Sequence, residues 1–286
     1  MKITFKSGII KKSAFLLLFT VGLVSCSSDD DHIDDGFQGK TADYELTEVA
    51  NSTIEGKMSF QENKDGSTTI DIELEGTDEE KTYTPVIRHG NSVDGGEVAI
   101  TLKEVEGSNG SSTTTVSKLD DDTPVTFEQL IALNGHVSIY YIEDETEVVV
   151  AQTDLGENQL TGESISYDLN SEDEEGPTGT VRLQERENGQ ILVTVFVEGT
   201  EDGSSHPVTI HSGAIGEEQG EAVITLNPVV DGWSFTNVSN FDGEEEESVT
   251  YEELIDFDGS VNVYNSEEKM ESPILQANIG SNVSAE

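Results

Sequence analysis

Residues 56–77, GKMSFQENKDGSTTIDIELEGT, return as residues 179–200, GTVRLQERENGQILVTVFVEGT, at a constant offset of 123. Gln61-Glu62 aligns with Gln184-Glu185, Gly66 with Gly189, and Glu75-Gly76-Thr77 with Glu198-Gly199-Thr200. Within the first copy, Ile70, Ile72 and Leu74 alternate with Asp71 and Glu73, the period of two that marks a half-buried strand. The second copy, Ile191 to Val197, is almost continuously apolar, so cover on both faces is expected there. Asp65-Gly66 and Asn188-Gly189 sit between the alternating runs. These pairs accept positive φ and predict hairpins in both copies.

The duplication extends outward from this stretch. Pro85-Val86 and His89 reappear as Pro207-Val208 and His211 at offset 122. TFEQLIALNG at 126–135 matches TYEELIDFDG at 250–259 in five of ten positions. Gln152, Gly156 and Asn158 match Gln276, Gly280 and Asn282 at offset 124. The drift of the offset by two residues describes near-equal copies with small loop changes. Two units follow, 42–158 and 167–282, joined by the short polar segment 159–166.

Further strands are expected at 85–89, 97–102, 112–118, 136–142 and 147–155, with counterparts in the second unit. One helix interrupts each unit. Thr126 and Thr250 are N-caps with Gln129 and Glu253 three residues on, a capping box in both copies. The helices are expected to run about two turns, with Leu130, Ile131 and Leu133 as the apolar stripe. Asn134-Gly135 and Asp258-Gly259 are the expected stops. The predicted fold class is all-β: two tandem antiparallel Greek-key β-sandwich domains, each of about seven strands with one short helix.

Composition restricts function. The 286 residues carry 14 Lys+Arg against 59 Asp+Glu, a formal net charge of −45. Such a surface repels phosphate backbones and excludes a nucleic-acid partner. A single Cys excludes a disulfide framework and any Cys-rich zinc site.

That Cys, Cys26, ends an N-terminal segment of a different character. Residues 1–28 contain no acid but hold Lys2, Lys6, Lys11 and Lys12, followed by an apolar run from Ala14 to Val24. The run is too short to span a bilayer and reads as the core of a signal peptide. Leu23-Val24-Ser25-Cys26 resembles the lipobox of bacterial lipoproteins. The resemblance implies a signal peptide over 1–25, cleavage after Ser25 and lipidation of Cys26. An ordinary secretory signal with an incidental Cys is the alternative. Residues 26–41 form an acidic flexible tether. Within it, Ser28 followed by Asp29, Asp30 and Asp31 resembles the export signal of lipoproteins flipped to the outer face of some outer membranes, against the plainer reading of a solvated spacer. The expected location is therefore lipid-anchored to the outer membrane and exposed at the cell surface.

The repeats themselves resemble the CHRD domain, the chordin-type module also found in bacterial secreted proteins. The second unit carries the likeness best, in His206-Pro-Val-Thr-Ile-His211-Ser-Gly, Gly220 to Leu226, Gly259 to Tyr264 and Ile274 to Gly280. Tyr264 stands where that family often has His. The first unit keeps His89-Gly90, Gly96 to Leu102, His136 to Tyr140 and Val149 to Gly156. The resemblance implies a β-sandwich outside the cytoplasm and no established catalysis. The same strand is similar to one in copper/zinc superoxide dismutase, which keeps a dismutase-like metalloprotein as a remote alternative.

The chain has five His, at 32, 89, 136, 206 and 211. Neither unit holds enough of them for a copper–zinc pair. His206 and His211 are metal candidates only if the strand between them is irregular, since five residues apart they face opposite sides. Asp120, Asp121 and Asp122 offer oxygen ligands suited to Ca²⁺, as do the acidic runs 172–175 and 244–247. None has EF-hand spacing, and a solvated acidic surface competes with weak calcium binding. No nucleophile elbow, Walker loop, dinucleotide fingerprint or metalloprotease motif is present. Carboxylate pairs are too abundant to single out a glycosidase dyad. Trp233 is the only Trp, which argues against a broad glycan-binding platform. The expected function is a non-catalytic, surface-tethered binding module with no catalytic residue and no cofactor. Its partners are the membrane, through the anchor, and an extracellular protein or glycan. Divalent-cation (calcium) binding is the alternative.

Overall fold

A computed structural model describes residues 37–49, 52–173, 175–201, 203–216, 219–243 and 248–283. The expected signal peptide, Cys26 and the acidic run after it lie outside them. The described chain is almost all β, in two antiparallel assemblies with separate cores.

In the first repeat the strands are β1 (Thr41–Glu48), β2 (Glu55–Glu62), β3 (Thr68–Glu75), β4 (Thr82–His89), β5 (Val98–Thr101), β6 (Val105–Glu106) and β7 (Ser111–Val116). After α1 (Phe127–Ile131) come β8 (Gly135–Glu143) and β9 (Thr146–Leu155). The second repeat holds β10 (Leu160–Leu169), β11 (Thr178–Arg186), β12 (Ile191–Glu198), β13 (Ser205–Ser212), β14 (Ala222–Val230) and β15 (Trp233–Val238). It ends with α2 (Tyr251–Ile255), β16 (Asp258–Tyr264) and β17 (Pro273–Gly280).

The hairpins read from Asp-Gly and Asn-Gly are present, with Gly66 at φ 83° and Gly189 at φ 79°. β2 pairs β3 and β11 pairs β12 in equivalent register, Phe60 opposite Ile70 and Leu183 opposite Val193. Alternation then fills each interior. Met58, Phe60, Ile70 and Ile72 are buried in one core, and Leu183, Ile191, Val193 and Val195 in the other.

Strand order runs β5-β4-β8-β9-β1-β2-β3-β7 in the first repeat and β10-β11-β12-β15-β14-β13-β16-β17 in the second. Both follow the same Greek-key path, opened at different seams. In the first repeat β1 pairs β2 and then crosses to β9, with Thr47 opposite Gln152. In the second the matching crossing shrinks to one bridge, Asn170 with Gln276, made by two backbone hydrogen bonds of 2.9 Å. There the β14–β15 hairpin closes the other side, so the second sandwich is nearly a barrel.

Several expectations need correction. The join at 159–166 is not a linker: β10 starts at Leu160, and Leu160 pairs Arg186 before a register shift carries the strand past Gly162. The strand hydrogen-bonds first and gains its buried residues, Tyr167 and Leu169, only later, so apolar periodicity started too late. Strand numbers exceed seven, at nine and eight. The capping boxes are formed as read, but α1 and α2 are five residues long. Phe127 and Leu130 are the buried pair of α1, while Ile131 and Leu133 are only partly covered.

Gly135 and Gly259 do not stop the helices in the left-handed region. Both enter the next strand directly. The left-handed glycines that pack against the helix exits are Gly156 (φ 57°) and Gly280 (φ 59°), which arrive from the ends of β9 and β17. A Cβ on Gly156 would lie 2.6 Å from the Leu133 carbonyl oxygen, and one on Gly280 would lie 2.1 Å from that of Phe257. Two residues on, Asn158 Nδ2 donates to Asn134 Oδ1 and the Gly135 carbonyl, at 2.8 and 3.1 Å. Asn282 Nδ2 repeats this with Asp258 Oδ1 and the Gly259 carbonyl, at 2.6 and 3.2 Å. The duplicated Gly-x-Asn is therefore a clamp that fastens the last strand onto the exit of the helix.

Gly66→Ala meets no atom within 4 Å and carries only the left-handed backbone cost, about 1–2 kcal/mol. Gly280→Ala adds the collision with Phe257 and should destabilise by more. Urea unfolding of the two variants checks the order.

Candidate functional site

The residues singled out for metal binding are held by protein partners. In β13, His206 is buried, with Nδ1 3.1 Å from the Tyr264 carbonyl and Nε2 2.7 Å from Ser204 Oγ. His211 donates or accepts at Nε2 with Thr209 Oγ1, 2.8 Å away, and the Tyr264 hydroxyl, 3.1 Å away, while Nδ1 lies 3.0 Å from the Gly220 carbonyl. The strand is irregular between the two, with register shifts against β14 at His206/Val208 and Ile210/His211, but its pairing with β16 is regular. The two imidazoles meet different atoms of Tyr264 rather than a common point.

Asp120 Oδ2 accepts from the backbone and hydroxyl of Thr101. Asp121 accepts from Thr123 N at 2.9 Å, and hydrogen bonding to Thr123 holds its carboxyl below the usual range. Asp122 pairs with Lys118. The three side chains thus point to three partners. Among the described residues no group of three His, Cys, Asp or Glu comes together to hold a metal ion. The runs 172–175 and 244–247 lie in part or wholly outside the described residues.

A different cluster emerges where the repeats meet. Arg186, at the end of β11, occupies the position of Asn63 in the first repeat. Its side chain is fully buried. Nη1 pairs with Asp154 Oδ2 at 2.6 Å and donates to the Asn158 carbonyl, and Nε donates to Asn237 Oδ1 at 3.0 Å. Asp154 belongs to β9 of the first repeat and also accepts from Ser92 N and Oγ, at 2.8 and 3.0 Å. Asn237 Nδ2, from β15, reaches Asn91 Oδ1 at 2.6 Å. Backbone bonds from Glu187 N to the Gln159 carbonyl (2.9 Å) and from Asn188 N to the Glu157 carbonyl (2.7 Å) complete the junction. A buried ion pair of this kind ties the two repeats together, because neither charge can be left alone in a dry site.

Beside the junction lies a cleft. One wall is the outer face of the second repeat's sheet, where Phe196 pairs with Trp233 and Thr194 with Phe235 across β12 and β15. Trp233 and Phe235 have parallel rings, 2° apart with centroids at 5.9 Å, and Phe196 leans on Trp233 at 4.5 Å. The other wall comes from β1, β9 and the turn at Ser92 of the first repeat. The space between is a cavity of about 750 Å³, continued past Trp233 and Phe235 by another of about 440 Å³ that reaches His136 and Ser138. The outer face of β12 is thus not packed shut, as its apolar run suggested. Leu192, Thr194 and Phe196 are half-buried cleft residues.

The equivalent face of the first repeat is polar. Register places Glu73 where the second repeat has Phe196, Ser111 where it has Trp233, and Thr113 where it has Phe235. Glu73, Ser111 and Thr113 are exposed. Sequence reasoning noted Trp233 but missed the cleft. The signal was available in the repeat alignment, as aromatic residues on one copy facing polar ones on the other.

Compared with protein-family models the chain matches none, and compared with curated proteins it matches none. No helix among the described residues is long and apolar enough to cross a membrane.

Two measurements test the junction. Asp154→Ala strands the Arg186 guanidinium and should cost about 3–5 kcal/mol. Adding Arg186→Met to it should cost less than the two single losses combined, because the pair acts as a unit. His136, at the inner end of the cleft, donates Nδ1–H to the Gly90 carbonyl at 3.0 Å. Burial, with Arg88 and Arg186 nearby, pushes its pKa below the ordinary 6.5, against the opposing pull of Gly90 and Asp154. The unfolded chain then takes up the proton first as pH falls. Stability should be level above that value and decline below it, and His136→Gln should flatten the decline in a pH series of thermal melts.

Proposed function

We propose that this protein is a non-catalytic, lipid-anchored binding protein of the bacterial cell surface, built from two CHRD-like repeats, with its ligand site in the cleft between them. The observation that carries this reading is the aromatic wall on one repeat held open against the polar wall of the other. A cavity of that size, with aromatic rings beside amides and hydroxyls on one wall and carboxylates, hydroxyls and the Gln152 amide on the other, has the character of a small-ligand site. The divergence of the two copies at the cleft-facing positions supports it further. A repeat kept only for its scaffold has no need of Phe196, Trp233 and Phe235 on an outer face.

The address rests on the N-terminal pattern: a basic segment, a short apolar run and the single Cys placed after Ser25. Two or three acyl chains on Cys26 give firm anchoring, since each buried CH₂ contributes about 0.8 kcal/mol. The acidic run Asp29-Asp30-Asp31 supports display on the outer face. The calcium alternative has no supporting cluster among the described residues.

Metabolic labelling with a palmitate analogue should mark the protein, and Cys26→Ala should abolish the label. Protease added to intact cells should then degrade the wild type but spare a variant with Ala at 29, 30 and 31. An unlabelled wild type removes the anchor, and equal protection of wild type and variant removes surface export.

A further inference from the structure

We propose that the cleft binds a neutral oligosaccharide, with sugar rings packed on Trp233 and Phe235. This rests on the reading of the cleft as the ligand site and names the class of ligand. Three features select it. First, the two aromatic rings are parallel and only half-buried, so part of each is free for the apolar face of a pyranose. Second, the side chains of Gln152, Gln184 and Thr194 reach the same cavity, and among the described residues none has a protein hydrogen-bond partner. They supply donors and acceptors in the mixture that vicinal hydroxyls require.

Third, charge excludes the competitors. Asp43, Glu45 and Glu48 stand on the β1 wall, and the chain as a whole carries 59 acids. An anionic polymer is repelled from such a site. A cation is drawn to those acids, but it meets Arg182 on the facing sheet and makes no use of the amide N–H donors of Gln152 and Gln184. The two cavities share Ser92, Gln152, Trp233 and Phe235, so the aromatic pair lines two adjoining spaces rather than one. That shape suits a chain of sugar units rather than one ring.

The molecule carries its own reporter. Trp233 is the sole tryptophan, so selectively excited emission reads the cleft directly. The purified full-length protein should show a saturable emission change on titration with oligosaccharides from at least one of glucan, xylan, mannan or chitin. Polygalacturonate should give none. Phe235→Ala should weaken binding about tenfold, the order expected for loss of one aromatic contact. Thr113→Ala, at the matching position of the first repeat, should bind as the wild type does, and thermal melts of both variants show that they are folded. A response to choline without any response to the sugars overturns the sugar assignment and leaves the cleft as a cation site. Silence with every probe overturns the cleft as a ligand site altogether.

Discussion

A buried guanidinium sits at the centre of the polar contacts that join the two halves of this protein. Arg186 belongs to the second repeat, and its carboxylate partner, Asp154, belongs to the first. In a chain so rich in acid, a buried cation is the scarce component. Removing it from water is costly, and Asp154, the Asn158 carbonyl and Asn237 offset only part of that cost, since Arg186 Nη2 stays buried with no hydrogen-bond partner among the described residues. The relative placement of the repeats is therefore specified by polar geometry and not by a shared apolar core. The aromatic wall beside the latch stays partly open.

The duplication explains which features are structural and which are specialised. Features present in both copies belong to the scaffold: the Asp-Gly and Asn-Gly hairpins, the threonine capping boxes and the Gly-x-Asn clamp. Each solves a local backbone problem that the fold poses twice. Features present in one copy belong to the junction and the cleft. Arg186 replaces Asn63, whose amide serves only its own turn through Ser67 and Thr69. Trp233, Phe235 and Phe196 replace Ser111, Thr113 and Glu73. Asn158 belongs to both categories, since its side chain clamps the helix exit while its carbonyl accepts from Arg186.

The histidines stand apart from that contrast. His206 and His211 have the spacing and strand context that draw attention, yet each is engaged by hydroxyls and carbonyls around Tyr264. A tyrosine at that position offers a neutral oxygen with one proton, which satisfies an imidazole without any ion. Asp120, Asp121 and Asp122 likewise each place one carboxylate oxygen against a nearby donor.

Fold class, the number of repeats, the hairpins and the helix starts were all legible in the chain, because each depends on contacts a few residues apart: alternation, a Gly after Asn or Asp, a Thr three residues before Gln or Glu. The end of each helix was not legible, since the glycine that shapes it comes from a strand more than twenty positions later. The start of β10 was hidden for a related reason, as its first hydrogen bonds carry no apolar signature. The cleft lay furthest from view. Its walls come from strands separated by some hundred residues, and only folding lays Gln152 opposite Trp233. Short-range patterns record what a backbone must do locally. A site between two repeats depends on their mutual placement, which a few buried polar groups control and no periodicity reveals.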